Sequence, residues 1–248
     1  MKISQEEKDR NKQQMIDAAT TLIAEQGFAK VSLRDISKKA GMSQASAYKY
    51  FQSKENIVFA FFEQIQEQCH EQLLQINDFH DFCLEEQLQC LIETQMTLLE
   101  PYRVFLNEIH HSTMTLQIFQ TMTGMQPARE KMCAMIDDLY GGAIDAGEIP
   151  QQRHHALIVR LFWDYLFLII LYWLRDNSAH YTNTTQLIEK SLLVITAILR
   201  SQLLDKSTDL INFVIREHVF SLFDSLTPAQ TPIKNKRRFM EKSNVKKR

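Results

Sequence analysis

The sequence is short of residues that break helices. It has six glycines and five prolines in 248 residues, and nearly all of them fall between segments of helical periodicity, where helix ends are expected. No stretch alternates apolar and polar residues long enough to mark a strand, whereas apolar residues three and four apart recur throughout. Four cysteines, Cys69, Cys83, Cys90 and Cys133, form no C-x-x-C pair and have no metal-ligand spacing. That excludes a disulfide framework and points to free thiols in a reducing compartment. The N-terminal MKISQEEKDRNKQQ contains no apolar signal core. A long unbroken apolar run is also missing: in residues 156–174, ALIVRLFWDYLFLIILYWL, Arg160 and Asp164 leave only about a dozen uninterrupted apolar positions, too few to cross a bilayer. A cytoplasmic protein with no membrane partner is expected, with this segment a helix buried nearly all round in a core or a subunit interface.

Catalytic signatures are missing too. No Gly-rich phosphate loop, Ser/His/Asp set or acid pair with catalytic spacing stands out, so no enzyme and no cofactor are inferred. His110-His111 and His154-His155 do not amount to a metal site. Neighbours on a helix point about 100° apart and cannot share an ion without distortion.

What is present is a packed, charge-segregated chain. A hydrophobic content of 45% with 23% charged residues supports a substantial core. The net charge of -2 hides an uneven distribution. Residues 1–56 hold ten basic and seven acidic side chains, residues 57–233 ten and 22, and residues 234–248 eight and one. Two positive ends flank an acidic middle, which implies a polyanionic partner at the ends.

The periodicity predicts an all-α fold. Ser4, in S-Q-E-E, opens a first helix with Met15, Ile16, Ala19, Leu22 and Ile23 on one face, ending at Gly27 in a left-handed cap. Ser32, Ser43 and Ser53 cap a second, third and fourth helix, with Gly41 turning between the second and third and the fourth running toward Asn77. Further helices are predicted near 81–98, 101–110 (Pro101 at its first position), 113–123, 127–146, 153–176, 184–204 and 208–225. The division follows: 1–53 a helix-turn-helix domain, 54–226 a larger helical regulatory and dimerisation domain, 227–248 a basic, disordered tail.

Within SLRDISKKAGMSQASAYKYFQSK, residues 32–54, a helix, a three-residue turn containing Gly and a second short helix have the geometry that lays the second helix in a major groove. Ile36, Ala40, Met42, Ala47 and Phe51 have the spacing to hold the pair together. Gln44, Ala45, Ser46, Tyr48, Lys49 and Tyr50 are left outward. By periodicity alone this face is equally that of an ordinary solvated hairpin.

The residues themselves decide between the two. Ile16 with Ala18-Ala19, Gly27-Phe28, Ser32-Leu33-Arg34-Asp35-Ile36, Ala40-Gly41-Met42-Ser43 and Tyr48-Lys49-Tyr50-Phe51-x-x-Lys54 resemble, at matching spacings, the N-terminal domain of the tetracycline-repressor (TetR) family. The resemblance spans residues 10–65. It implies an all-helical homodimer in which three N-terminal helices bind double-stranded DNA at a palindromic operator and a larger C-terminal domain dimerises and senses a ligand.

Carried over by position, Ser32 and Arg34 touch phosphate or the groove edge, and Ser43 belongs to the same interface. Gln44, Ala45, Ser46 and Lys49 read bases, with Gln44 suited to adenine and Ala45 to a thymine methyl. Tyr48, Tyr50 and Lys54 hold phosphates, Lys54 aided by the positive end of the fourth helix. Ala47 departs from the family, which usually has a larger aliphatic residue there, and implies a reading helix closer to its neighbour.

Beyond the DNA-binding region the resemblance is one of architecture. Helices near 153–176 and 184–204 look like the pair that forms the dimer interface. Between them and the first domain, Met96, Met114, Met122, Met125, Met132 and Met135 accompany Tyr102, Phe105, Phe119, Tyr140 and Trp163. Met-rich walls deform easily and suit a small apolar ligand, but they also fill ordinary cores. A repressor released from its operator by such a ligand is the leading expectation. A lipid or small-molecule binding protein on the same scaffold and an architectural DNA-binding dimer without effector are the rivals.

Overall fold

A computed structural model describes residues 4–111 and 124–201, all helix, turn and loop with no strand among them. The helices predicted at 113–123 and 208–225, the end of the one at 184–204, and the basic tail lie outside the described residues.

Helix α1, Gln5–Gln26, begins where the Ser4 hydroxyl accepts the Glu7 N–H at 3.2 Å. It ends at Gly27, whose N–H reaches the Ile23 carbonyl at 2.9 Å. The left-handed cap expected there is only half realised: φ is +84° but ψ is 146°, extended rather than helical. The positive φ favours glycine, and a Cβ there would also stand 3.0 Å from the Glu108 carboxylate, which would have to shift.

Helix α2, Leu33–Lys39, opens with a capping box. The Ser32 hydroxyl accepts from the Asp35 N–H at 3.3 Å and donates to the Asp35 carboxylate at 2.5 Å, which also takes the Ser32 N–H at 3.1 Å. The side-chain and backbone bonds from Ser32 hold the Asp35 carboxyl below its usual range. At the other end Gly41 has φ +70°, its N–H reaches Lys38, and the Met42 N–H reaches Ser37. This crossed pair reverses the chain in one step. It delivers Ser43 to cap α3, Gln44–Ala47, and then Ser53 to cap α4, Lys54–Leu73.

The fourth helix stops four residues short of Asn77 because a turn at Leu74–Ile76 leads to Asp78, which has φ +55°. Then come α5, Leu84–Leu99, and α6, Arg103–His111, joined by a 3-10 turn Glu100–Tyr102 that takes up Pro101. Helices α7, Gln126–Asp145, α8, His155–Arg175, and α9, Thr182–Arg200, complete the described body.

Two apolar clusters hold these elements. The first gathers Met15, Ile23, Ile36, Ala47 and Phe51 of the N-terminal region with Ile57 and Phe61 of α4, Phe105 and Ile109 of α6, and Trp173 at the end of α8. The second joins the far half of α4 to α5, α7, α8 and α9 through Cys69, Leu91, Met132, Leu166 and Leu192. Helix α4 belongs to both, and so does Met96 of α5.

Helix α8 is long and apolar enough by length and composition to cross a membrane. Its faces differ, however. Val159, Phe162, Leu166, Ile169 and Trp173 are buried, whereas Leu161, Leu168 and Tyr172 are exposed. The all-round burial expected from its sequence is not seen within one chain.

Candidate nucleic-acid interface and ligand pocket

Helix α3 is one turn long, so its orientation depends on packing rather than on its own hydrogen bonds. Ala47 is fully buried and Phe51 nearly so, while Ala40 and Met42 pack half-buried on the same cluster. With no side chain beyond Cβ at position 47, the backbone of α3 itself is drawn against the core. Gln44, Ala45, Tyr48 and Lys49 are left exposed on the opposite side, with Tyr50 and Ser46 half-buried at its margin. Ser32, Arg34 and Ser43 are exposed as well.

The polar groups of this face are not equally available. Ser43 accepts the Ser46 N–H at 3.1 Å and donates to the Ser46 hydroxyl at 2.9 Å, so both serines are tied into the cap. Tyr50 accepts from the Asn11 carboxamide at 2.9 Å, which fixes the phenol against α1 and leaves its hydrogen to donate.

Lys54 has partners within its own chain. Its ammonium points inward, donating to the Phe28 carbonyl at 2.6 Å and the Val31 carbonyl at 2.9 Å, with the Phe28 ring 4.2 Å away. It closes the loop between α1 and α2 with two of its three N–H donors. The cause is the loop itself, whose carbonyls need a donor that no helix supplies.

The largely apolar pocket lies between α4, α5, α6 and α8. It is a cavity of about 60 Å³ lined by Phe62, Gln66, Gln95, Leu106, Ile109, His110, Met125, Trp163, Leu166, Phe167, Ile170, Leu171 and Leu174. Of the described residues among those expected from the Met-rich pattern, only Trp163 and Met125 line it. Met132, Met135 and Phe105 are core, Tyr102 stacks edge-on against Phe61 with ring centres 4.9 Å apart, and Met96 packs between the clusters. Tyr140 lines a second apolar cavity of about 260 Å³, with Leu161, Phe162, Tyr165 and Ile198. Met114, Phe119 and Met122 lie outside the described residues. The methionines followed helix faces that pack inward, so composition marked the core and not the hollow.

The missed signal was a polar residue in a core register. Gln66 follows Phe62 by four positions and precedes Cys69 by three, and Gln95 stands between Ile92 and Leu99. Both glutamines are almost completely buried. His110 meets Arg175, with Nε2 to Nη2 at 3.1 Å. A guanidinium only donates, so the imidazole accepts and is neutral. Burial first, then Arg175 and His111, lower its pKa.

A helix-turn-helix with a polar reading face, continuous through α4 with a helical body that holds an apolar pocket, defines a DNA-binding regulator. Family comparison agrees over most of the chain. The family described as "Bacterial regulatory proteins, tetR family" matches residues 15–61, and "Tetracyclin repressor-like, C-terminal domain" matches residues 87–214. The chain belongs to the tetracycline-repressor family and is a DNA-binding transcriptional regulator. Proteins of this family bind DNA and dimerise.

A similar sequence is the fatty acid metabolism regulator protein of Bacillus subtilis, 39% identical over 51 residues. That match spans 21% of this chain and only 26% of the relative. Two solved structures share the fold. The fatty acid degradation regulator FadR from Bacillus halodurans has a TM-score of 0.56 at 20% identity, covering 73% of this chain and 94% of that one. FadR from Bacillus subtilis, in complex with stearoyl-CoA, has a TM-score of 0.54 at 21% identity, covering 76% and 97%.

Proposed function

We propose that the protein is a cytoplasmic, dimeric repressor with no enzymatic activity, released from a palindromic operator when a small apolar ligand enters the pocket on α4. The two α3 helices enter successive major grooves about 34 Å apart. Gln44, Ala45 and Lys49 meet base edges, while Ser32, Arg34, Tyr48 and Tyr50 meet phosphates. Residues 1–53 are the DNA-binding part, residues 54–226 the regulatory and dimerising part, and the basic residues of 227–248 add salt-sensitive affinity.

The observation that carries this reading is the position of α4. Its Phe62 and Gln66 line the pocket, its Ile57 and Phe61 belong to the core under α3, and its first residue, Lys54, closes the α1–α2 loop. A ligand that widens the pocket displaces α4 and, with it, the separation of the reading helices. It acts only so far as it binds the released state more tightly than the DNA-bound one. The stearoyl-CoA in the B. subtilis FadR structure supports a ligand with an apolar chain, though its CoA head is charged.

Dimerisation is assigned to the exposed apolar stripes of α8 and α9. Leu161, Leu168 and Tyr172 on one and Leu187, Val194 and Ile198 on the other are an unusual amount of apolar surface to leave in water. Selection of genomic fragments by the purified protein, followed by gel-shift titration of the recovered sites, tests the reading. A shared palindrome bound with one dimer per site is expected; recovery of fragments without any common sequence would overturn it.

A further inference from the structure

Two amide side chains stand in a largely apolar wall that, among the described residues, leaves their carbonyl oxygens without a partner. Gln66 on α4 is 2% exposed and Gln95 on α5 is 1% exposed. Both line the pocket between α4, α5, α6 and α8, and in each the Oε1 atom is buried without a hydrogen-bond partner. A buried carbonyl left unpaired costs stability, and such groups are rare enough to need a reason. Methionine or leucine would fill either position without that cost.

The rest of the wall narrows the choice of ligand. Apart from these two amides and His110 the described lining is Phe, Leu, Ile, Met and Trp, with no Lys, Arg, Asp or Glu among the described residues that line it. A carboxylate placed there would lose its hydration, since Arg175 stands behind the wall bonded to His110 and not among the described lining residues, and two neutral amides do not offset that loss. A pure hydrocarbon would leave both oxygens as they are. A hydroxyl or a primary amide donates to one oxygen and can accept from the other side chain if its amide turns over, so it suits either orientation. The cavity of about 60 Å³ has room for roughly four water-sized groups. The polar end and its first carbons therefore fill it.

We propose that the pocket selects an uncharged amphiphile, an apolar chain carrying a hydroxyl or amide group, and that Gln66 and Gln95 are the residues that take its hydrogen bonds. This rests on the pocket being the effector site. The specificity lies in the pair of amides, and replacing them with apolar residues of similar length removes it.

Four probes of one length test this on the full chain: hexan-1-ol, hexanamide, hexanoate and heptane, followed by calorimetry and by tryptophan fluorescence in a Trp173→Phe background, which leaves Trp163 in the wall as the reporter. At pH about 7, where hexanoate is ionised, hexanamide and hexanol bind about tenfold or more tighter than hexanoate and heptane. In the Gln66→Met/Gln95→Met double variant hexanamide affinity falls about tenfold and heptane affinity rises. Hexanoate binding as tightly as hexanamide, or a double variant that keeps its hexanamide affinity, overturns the proposal. If the double variant fails to fold, the wild-type ranking and Gln95→Met alone decide the matter.

Operator release measured with the same probes separates the two levels. Amide selectivity without any release supports the ligand class and sinks the effector reading. Release with hexanoate ahead does the reverse.

Discussion

Lys54 donates from its ammonium to the backbone carbonyl of Phe28 at 2.6 Å, and the same ammonium lies 4.2 Å from the centre of the Phe28 ring. One side chain from the start of α4 thus holds the loop between α1 and α2. With the Val31 carbonyl at 2.9 Å, it satisfies two acceptors that have no helical partner. Charge-assisted bonds of this kind each contribute about 1.5–3 kcal/mol when well formed, and partial exposure puts the pair at the low end. Lys54→Met should lower the urea midpoint by an amount equivalent to about 2 kcal/mol, with no change in slope. If the variant keeps full stability and loses only a salt-dependent part of DNA binding, the ammonium serves phosphate and not the loop.

Tyr48 and Gln44 separate affinity from preference. Tyr48 is half exposed on the outward face and its hydroxyl can reach a phosphate. Tyr48→Phe should weaken binding by a similar factor on every duplex, whatever its sequence. Gln44→Ala should instead erode discrimination at one operator position, by about 1–3 kcal/mol. Competition gel shifts over single-base operator variants measure both, and identical profiles for the two variants would sink the assignment.

Ala47 sets how close α3 comes to the core. It is fully buried, so a larger side chain has no room unless the helix moves outward. Ala47→Leu should cost about 1–3 kcal/mol through overpacking and reduce operator affinity, while the dimer persists. Unchanged stability in calorimetry would mean that the neighbouring helices yield more easily than the burial implies.

The division between what was legible and what was not follows from these same residues. Ser4, Ser32, Ser43 and Ser53 announced four helix starts because a cap is local chemistry, complete within three residues. The core positions Ile36, Ala47 and Phe51 followed from periodicity for the same reason. The loop-closing bonds of Lys54 are not legible in the sequence because its partners lie 26 and 23 residues away, at Phe28 and Val31, and nothing near position 54 records them. The hollow between α4, α5, α6 and α8 is not legible in Met132 and Met135, which face inward from α7 into a filled core. Its marks in the sequence, Gln66 and Gln95, are polar residues that break an apolar register. The same register that foretold the core could have exposed them.

Asp176 ties the end of α8 to the start of α9 and makes that corner sensitive to acid. Its carboxylate accepts the Ser178 N–H at 2.9 Å, the Thr184 N–H at 2.9 Å and the Thr184 hydroxyl at 2.6 Å. The bonds from Thr184 and then Ser178 hold its pKa far below the usual carboxylate value. A depressed folded pKa stabilises the protein fully above the unfolded value of about 3.9 and loses that contribution as the pH falls below it. Asp176→Asn should therefore lower the melting temperature at neutral pH and narrow its gap to the wild type below pH about 4. A constant gap across that range would exclude the carboxylate as the cause.

The apolar stripes of α8 and α9 offer the test of assembly. Leu168 is 62% exposed and Val194 is 56% exposed, so neither contributes much to the core of its own chain. Within the chain the two helices are held by Leu166, Ile169, Ile188 and Leu192 and by the bond between the Tyr165 and Ser191 hydroxyls at 2.7 Å. A charge at the stripe should leave that packing intact and act only where a second copy covers it, because an unpaired carboxylate buried in an interface is strongly disfavoured. Leu168→Glu and Val194→Glu should each sediment as folded monomers, with helical circular dichroism near that of the wild type. Operator affinity should fall steeply, since a monomer engages one half-site and forfeits the gain from joining two. A Leu168→Glu protein that still sediments as a dimer would move the interface elsewhere on the molecule.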